Sequence, residues 1–175
     1  MSESRSRIYL RPPISADQAA FVSSVAGSKQ LHFPWVSPPA SPKQFAAFLD
    51  RMVPPLNYCF LVCTRAREEP AGVINITNVV LGPFRSGYLE YYVFAGFERQ
   101  GIMRKGLIAV VRHAFHKLKL HRLEANIQPA NLASIALARG CGFAREGYSP
   151  HYLKIRGRWR DHERWALDCR RVPSM

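Results

Sequence analysis

The apolar residues of the chain change their period several times, and each change marks an element. Arg7-Ile8-Tyr9-Leu10-Arg11 alternates like a short strand and is closed by Pro12-Pro13, which cannot donate to a ladder. Ser15-Ala16-Asp17-Gln18 then offers an N-cap with a glutamine three places on. Ala19, Ala20, Val22 and Val25 keep helical spacing until Gly27, which predicts a first helix. Leu31 to Pro39 is broken by prolines yet rich in aromatic residues, the composition of a packed loop. Ser41-Pro42 places an N-cap before a proline at the first helical position, and Phe45, Phe48, Leu49 and Met52 recur at helical spacing. They predict a second helix, stopped by Pro54-Pro55.

Strand patterns follow. Tyr58–Cys63, Val73–Thr77 and Tyr88–Phe94, separated by turns around Arg67–Gly72 and Gly82–Gly87, predict an antiparallel meander. After Gly101, apolar residues at 107, 108, 111, 114, 115 and 118 describe an amphipathic third helix. Arg122–Ile127 reads as a strand, Asn131–Arg139 as a short helix, and Gly140-Cys141-Gly142 as its stop. Tyr152–Ile155 and Arg164–Leu167 are two last strands flanking a basic hairpin at Arg156-Gly157-Arg158. With no internal repeat and no linker, residues 1–175 read as one α+β domain.

Composition sets the outer bounds. The chain has 175 residues, 47% of them hydrophobic, an ordinary globular mixture. No apolar run approaches the roughly 20 residues that span a bilayer, and the first residues lack the apolar core of a signal peptide. A cytoplasmic protein without membrane contact is expected. The four cysteines form no Cys-x-x-Cys pair and have no matching histidine spacing, so neither a metal site nor a disulfide framework is expected. All four read as reduced core thiols, Cys59 and Cys63 on one strand face. The net charge of +13 favours acidic ligands, acidic protein partners or nucleic acid over polycationic substrates, although a basic surface without a dedicated partner has the same composition.

The unit that carries chemistry is strand, glycine loop, helix. Tyr91-Tyr92-Val93 leads through Glu98 into Arg99-Gln100-Gly101-Ile102-Met103-Arg104 and the third helix. Successive N–H groups at a helix N-terminus, with a glycine permitting close approach, form a cradle for a diphosphate, and Arg99, Arg104 and Lys105 add charge. A helix start that is merely basic has the same pattern, so a second segment is needed. Asn131-Leu132-Ala133-Ser134 followed by Gly142-Phe143 supplies it, and resembles the Asn-x-x-Ser … Gly-Phe signature of the GNAT (GCN5-related) N-acetyltransferases.

Together with Gln100-Gly101-Ile102-Met103 and Gly157 to His162, this pattern is similar to the RimJ/RimL branch, whose named members acetylate N-termini of ribosomal proteins. The resemblance covers nearly the whole chain. It implies the GNAT fold: a mixed, mostly antiparallel sheet splayed between strands 4 and 5, with helices on both faces and acetyl-CoA lying in the V. On it, Tyr91 and Val93 would offer backbone groups to the pantetheine, with Tyr92 between them. Residues 99–104 would cradle the pyrophosphate and Asn131 would bind the pantetheine arm. Two positions depart from the family pattern: Glu98 stands where Gln or Arg is usual, and Met103 where a small residue is usual.

Acetyl transfer from a thioester needs a neutral amine, a donor for the developing oxyanion and a thiolate able to leave. Ser134 is the candidate for assisting the thiolate, since the tyrosine that many relatives carry four residues later is Ala138 here; it is also an ordinary first-turn cap residue. Glu90, on the strand that would carry the thioester, is a candidate base if burial raises its pKa, or else an ion-paired sheet residue. His151, His162 and His32 are further base candidates, His151 first among them because relatives often have Asp there. Trp35 and Tyr152 are expected to shape the acceptor pocket, core packing being the alternative for both.

A peptide or protein N-terminus, such as that of a ribosomal protein, is the expected acceptor, with a small amine (amino acid or antibiotic) as the rival. A second class of reading is a basic ribosome- or RNA-associated module without activity, suggested by Arg156, Arg158, Arg160 and Arg164 around Trp159, which would make weak nucleic-acid contacts. The sequence is compatible with a monomer or a homodimer.

Overall fold

The alternation in the strands is answered by two apolar layers, one on each face of a seven-stranded sheet. The computed structural model describes residues 7–171. In chain order they form β1 (Ile8–Arg11), α1 (Gln18–Gly27), α2 (Lys29–His32), α3 (Pro42–Arg51), β2 (Tyr58–Thr64), β3 (Pro70–Val80) and β4 (Ser86–Val93). These are followed by α4 (Ile102–His116), β5 (Arg122–Ile127), α5 (Leu132–Gly140), β6 (Ala144–Ile155) and β7 (Arg158–Asp168). Cys59, Leu61 and Cys63 of β2, with Val73 of β3, pack under Phe21 of α1 and Phe45 and Phe48 of α3. Val62, Ile74 and Ile76, the intervening residues, pack under Leu107, Val110 and Val111 of α4. No helix among the described residues is long and apolar enough to cross a membrane.

The sheet order is β1-β2-β3-β4-β5-β7-β6, and every neighbouring pair is antiparallel except β4 and β5. That parallel pair is short. It runs from Ser86↔Arg122 to Leu89↔Ala125 and then stops. Beyond it β4 continues to Val93 paired only with β3, while β5 continues to Ile127 paired only with β7. The sheet therefore opens into a V, and the fold matches the expected class with its splay between strands 4 and 5.

Local chemistry fixes the ends of the elements. Ser41 Oγ accepts the Gln44 N–H at 3.3 Å to cap α3, whose first residue is Pro42. Arg11 and Asp17 form a two-pronged ion pair, at 2.7 and 2.6 Å, that ties the end of β1 to the turn before α1. The last two strands are much longer than the sequence pattern indicates. Gly147 and Pro150 break the apparent periodicity of β6, and the structure carries them in one strand by register shifts at Arg145/Gly147 and Ser149/Leu153. Two further expectations are corrected. The segment from Leu31 begins inside α2, and Cys169 is exposed beyond the end of β7, so only Cys59, Cys63 and Cys141 are core thiols.

Candidate active site

Two cavities meet at the opening of the V. One, of about 850 Å³, lies between the C-terminal half of β4, the loop before α4 and the first turns of α4 and α5; the other, of about 300 Å³, lies on the opposite side, under α3 and the 33–39 loop. Trp35, Val36, Tyr91, Tyr92, Asn131 and Ser134 line both. The chain can thus place two different ligands end to end against the same short stretch of β4.

The larger cavity collects most of the residues expected to hold a diphosphate-bearing ligand: Tyr91, Tyr92, Val93, Arg99, Gly101, Ile102, Met103, Arg104 and Asn131. Gly101 is the N-cap of α4 with φ +72°, a left-handed conformation that favours glycine, and a Cβ there would enter open space. The first bond of the helix, Lys105 N–H to Gly101 O at 3.1 Å, leaves the N–H groups of residues 102–104 without an intrahelical acceptor. They and the two arginines fit an anion by donor chemistry alone. The departing Glu98 does not oppose this: its carboxylate turns back to accept the Gly96 N–H at 2.7 Å. Gln100 does not line the cavity, and its side-chain amide donates to Gly96 O at 2.6 Å. Met103 is accommodated by another residue's smallness, since a Cβ on Gly72 of β3 would lie 2.5 Å from Met103 Sδ.

The free edge of β4 is partly used by the protein itself. Phe94 N–H donates to Ala71 O on the β3 side, so strand alternation turns the backbone groups of Tyr91 and Val93 toward the V. There the Val93 carbonyl accepts from His32 Nε2 at 2.9 Å, and Ala95 N–H donates to Ser28 Oγ at 2.8 Å. Ser28 and His32, both buried, hold the end of β4 from the α1–α2 junction. Burial lowers the His32 pKa, with the Val93 carbonyl opposing, which suits a neutral imidazole donating through Nε2. The tyrosine-rich strand gave no sign of these contacts, because they come from a segment whose sequence reads as helix end and loop.

Across the V, α5 begins at Asn131, whose side-chain oxygen accepts the Ser134 N–H at 3.2 Å. Ser134 Oγ and the Tyr91 hydroxyl are 3.1 Å apart, and the same hydroxyl donates to Ser134 O at 3.1 Å. Burial pushes the Tyr91 phenol up to about 12, against the opposing effect of its bond to Ser134, so it is a proton-bearing group at neutral pH. Sequence reasoning assigned Tyr91 only its backbone. Its side chain became visible once β4 and α5 were placed on either side of one gap.

The smaller cavity is bounded by Glu90 and Tyr92 of β4, Asn75 of β3, Asn126 of β5, His162 of β7 and the loop around Trp35. Trp35 O accepts from Gln128 Nε2 at 3.3 Å, which ties the loop to the end of β5 across the V. Glu90 lines this cavity but is exposed, so the burial on which its role as a base depended is missing. His151 sits exposed at the β6 bulge with φ +47° and lines neither cavity; its N–H donates to Asp161 Oδ1 at 2.8 Å. Tyr152 stands behind the wall, its ring 6.3 Å from that of His162. Of the hairpin arginines, Arg156 lies over the Phe33 ring at 5.0 Å, joining the hairpin tip to the 33–39 loop.

Comparison with known proteins gives this geometry its context. A family model described as an acetyltransferase (GNAT) domain matches residues 7–144. The probable N-acetyltransferase YjcK of Bacillus subtilis (strain 168) is 30% identical over 125 residues, covering 71% of this chain and 69% of that protein. The [ribosomal protein uS5]-alanine N-acetyltransferase of Escherichia coli (strain K12) is 40% identical over 100 residues, 57% of this chain and 52% of that enzyme, so the match spans about half of that relative's length. Among solved structures, RimJ of Mycobacterium smegmatis in complex with CoA-disulfide superposes with a TM-score of 0.87 at 26% identity, covering 95% of this chain and 84% of that one. The spermidine N-acetyltransferase of Vibrio cholerae in complex with CoA and spermine shares the fold, with a TM-score of 0.78 at 17% identity over 96% of this chain and 99% of that one.

Proposed function

Because this chain belongs to the GNAT acetyltransferase family, we propose that it transfers the acetyl group of acetyl-CoA to a primary amine, and that this amine is the N-terminal α-amine of a protein. The observation that carries the reading is the meeting of two cavities at Tyr91 and Ser134, one with the donor groups for a diphosphate and one without them. Acetyl-CoA supplies the thioester. In the larger cavity Arg99, Gly101 and the N–H groups of residues 102–104 hold the diphosphate, Asn131 and the backbone of Tyr91 and Val93 direct the pantetheine, and Val93 does so through its N–H because its carbonyl is held by His32. The hydroxyls of Ser134 and Tyr91 attend the departing sulfur and hold the proton it takes up.

Two arguments favour a protein N-terminus. An α-amine, with a pKa of about 7.7–8.0, is on the order of a tenth neutral at pH 7, whereas a lysine near 10.4 is neutral below one part in a thousand. The demand on a base is correspondingly small. The net charge of +13 repels polyamines at long range and favours an acceptor on an acidic protein. A ribosomal protein is the proposed class of partner, in line with the name of the Escherichia coli relative.

The test has two stages. Acetyl-CoA at saturation raises the melting temperature, as a ligand specific to the folded state must; no shift overturns the reading. Peptides with free N-termini, lysine peptides with blocked N-termini, and small amines are then compared by thiol release. Turnover confined to the small amines overturns the protein acceptor and keeps the acetyltransferase.

A further inference from the structure

Three residues that line the smaller cavity each carry a buried side-chain oxygen without a hydrogen-bond partner in the protein: Asn75 Oδ1, Tyr92 OH and Asn126 Oδ1. They come from three strands, yet register brings them together. Asn75 is paired with Glu90, two residues before Tyr92 on the same face of β4, and Asn126 follows the last β4–β5 pair, Leu89↔Ala125. An orphaned buried oxygen is costly, and three around one space of about 300 Å³ mark a place where donors are brought by something else.

The fourth wall group completes the pattern. His162 of β7 is 3% exposed, and its Nδ1 is 2.9 Å from Arg160 O. A carbonyl only accepts, so Nδ1 carries the hydrogen and Nε2 is left as a lone-pair acceptor. The wall thus offers acceptors at Asn75 Oδ1, the Tyr92 oxygen, Asn126 Oδ1 and His162 Nε2, with Glu90 and Arg51 exposed beside them. A protonated primary amine is the complementary ligand, because it brings three N–H donors and no acceptor.

Resting on the acetyltransferase reading above, we propose that His162 is the base that deprotonates the acceptor amine, and that the oxygens of Asn75, Tyr92 and Asn126 hold the amine against it. The ammonium gives one proton to Nε2, and the proton then passes to solvent. The freed nitrogen pair forms the C–N bond at the thioester carbonyl carbon. The C–S pair leaves with sulfur, and the second proton lost by the nitrogen ends on that sulfur by way of the Ser134 and Tyr91 hydroxyls. Atoms and charge balance as ammonium plus thioester giving amide, thiol and one released proton.

The titratable and charged groups that touch the imidazole or share its cavity are Asp161 beside it on β7, Tyr152 on β6, Glu90 and Tyr92 on β4 and Arg51 on α3; β5 and the residue after it offer the uncharged Asn126 and Gln128. Burial lowers the His162 pKa, with the Arg160 carbonyl and Asp161 opposing, so the base is in its accepting form at neutral pH. His32 is engaged at the larger cavity and His151 lines neither, which leaves His162 as the one imidazole facing this space among the described residues.

The experiment follows thiol release from an N-terminal-alanine peptide between about pH 5.5 and 9 for the wild type, H162Q, E90Q, N75L and N126L, with the acetyl-CoA melting shift measured for each. We expect H162Q to lose on the order of 100-fold in kcat with a KM for peptide within about threefold and an unchanged acetyl-CoA shift. The acid limb of the wild-type profile, set below the ordinary imidazole pKa, disappears in H162Q and persists in E90Q. N75L and N126L are expected to raise the peptide KM at least about tenfold while melting at or above the wild-type temperature, since each removes an unsatisfied buried oxygen. Full kcat in H162Q, or loss of the acid limb in E90Q instead, overturns the base; unchanged KM in both asparagine variants overturns the amine site. Should H162Q not fold, the imidazole 15N signals of wild-type His162 carry the test: peptide must shift Nε2, and an unmoved signal during turnover overturns the proposal. Loss of the acetyl-CoA shift in the wild type is a different outcome, one that removes the acetyltransferase reading itself.

Discussion

The Tyr91 hydroxyl, on β4, and Ser134 Oγ, in the first turn of α5, stand 3.1 Å apart across the gap where the sheet splays. Two hydroxyls in contact act as a unit, so their removal should not be additive. Ser134→Ala and Tyr91→Phe are each expected to lower kcat by up to roughly tenfold, because a thiol of pKa about 8.5 leaves with little help. The double variant should fall little below the worse single one. Tyr91→Phe also removes the side-chain donor that Ser134 O receives besides its helical partner, and should cost about 1 kcal/mol of stability. Steady-state kinetics on the four proteins, with the acetyl-CoA melting shift retained throughout, checks both; strictly multiplicative losses reject the coupling.

Gly101 separates space from strain. A side chain there enters open space, but the φ of +72° costs an L-residue about 1–2 kcal/mol. Gly101→Asn, tolerant of the left-handed region, should melt close to the wild type, and Gly101→Trp somewhat lower but cooperatively. In both the side chain occupies the cradle before α4, and the melting shift with acetyl-CoA should shrink, nearly to nothing for Trp. A tryptophan variant that is folded and shifts normally places the diphosphate elsewhere.

Gly72 is the counterpart of the unusual Met103. A Cβ at residue 72 would meet Met103 Sδ at 2.5 Å and Tyr92 O at 2.7 Å. The sulfur can swing away, but the carbonyl belongs to the β3–β4 ladder. Gly72→Ala should therefore cost about 1–3 kcal/mol, and adding Met103→Ala should not restore it. Chemical denaturation of the two variants decides the matter: full rescue by Met103→Ala means that the sulfur alone sets the limit.

How far the sequence carries is visible in these same residues. The helix starts at Ser41-Pro42 and Asn131, the meander through β4 and the cradle at Gly101 are local, written in spacing and cap chemistry within a few positions. The family pattern adds the splay between β4 and β5. What escaped was set by register over long separations. Asn75 and Asn126 are unremarkable strand residues, and Tyr92 belongs only to the cofactor strand, until their pairing brings all three to one cavity, and Tyr91 meets Ser134 across 43 residues. His151 illustrates the reverse error. Its rank rested on the Asp that relatives often carry there, and the structure places it at the bulge between Ser149 and Leu153, exposed and outside both cavities.

Two buried histidines and one half-buried one make stability depend on pH in a predictable direction. Burial lowers the pKa of His32, His113 and His162, with the Val93 carbonyl opposing for His32 and the Arg160 carbonyl and Asp161 for His162, while Lys117 adds to the lowering of His113. The unfolded chain regains an imidazole pKa of about 6.5, so near pH 6 it binds more protons than the folded one, and stability rises with pH through that window. Acidification from neutral pH should therefore lower the melting temperature well before the carboxylates matter. Asp17, held down by its bond to Arg11, and Glu146, held down by Arg122, contribute stability that is lost only further into acid, as pH falls from the ordinary carboxylate range through their lowered values. His32→Gln isolates one share of the effect. Glutamine keeps an N–H able to reach the Val93 carbonyl but does not titrate, so the variant should melt near the wild type at pH 7 and decline less steeply between about pH 7 and 5.5. Parallel declines in the two proteins would show that folding leaves the proton affinity of His32 unchanged, and that the pH dependence is carried by His113 and His162.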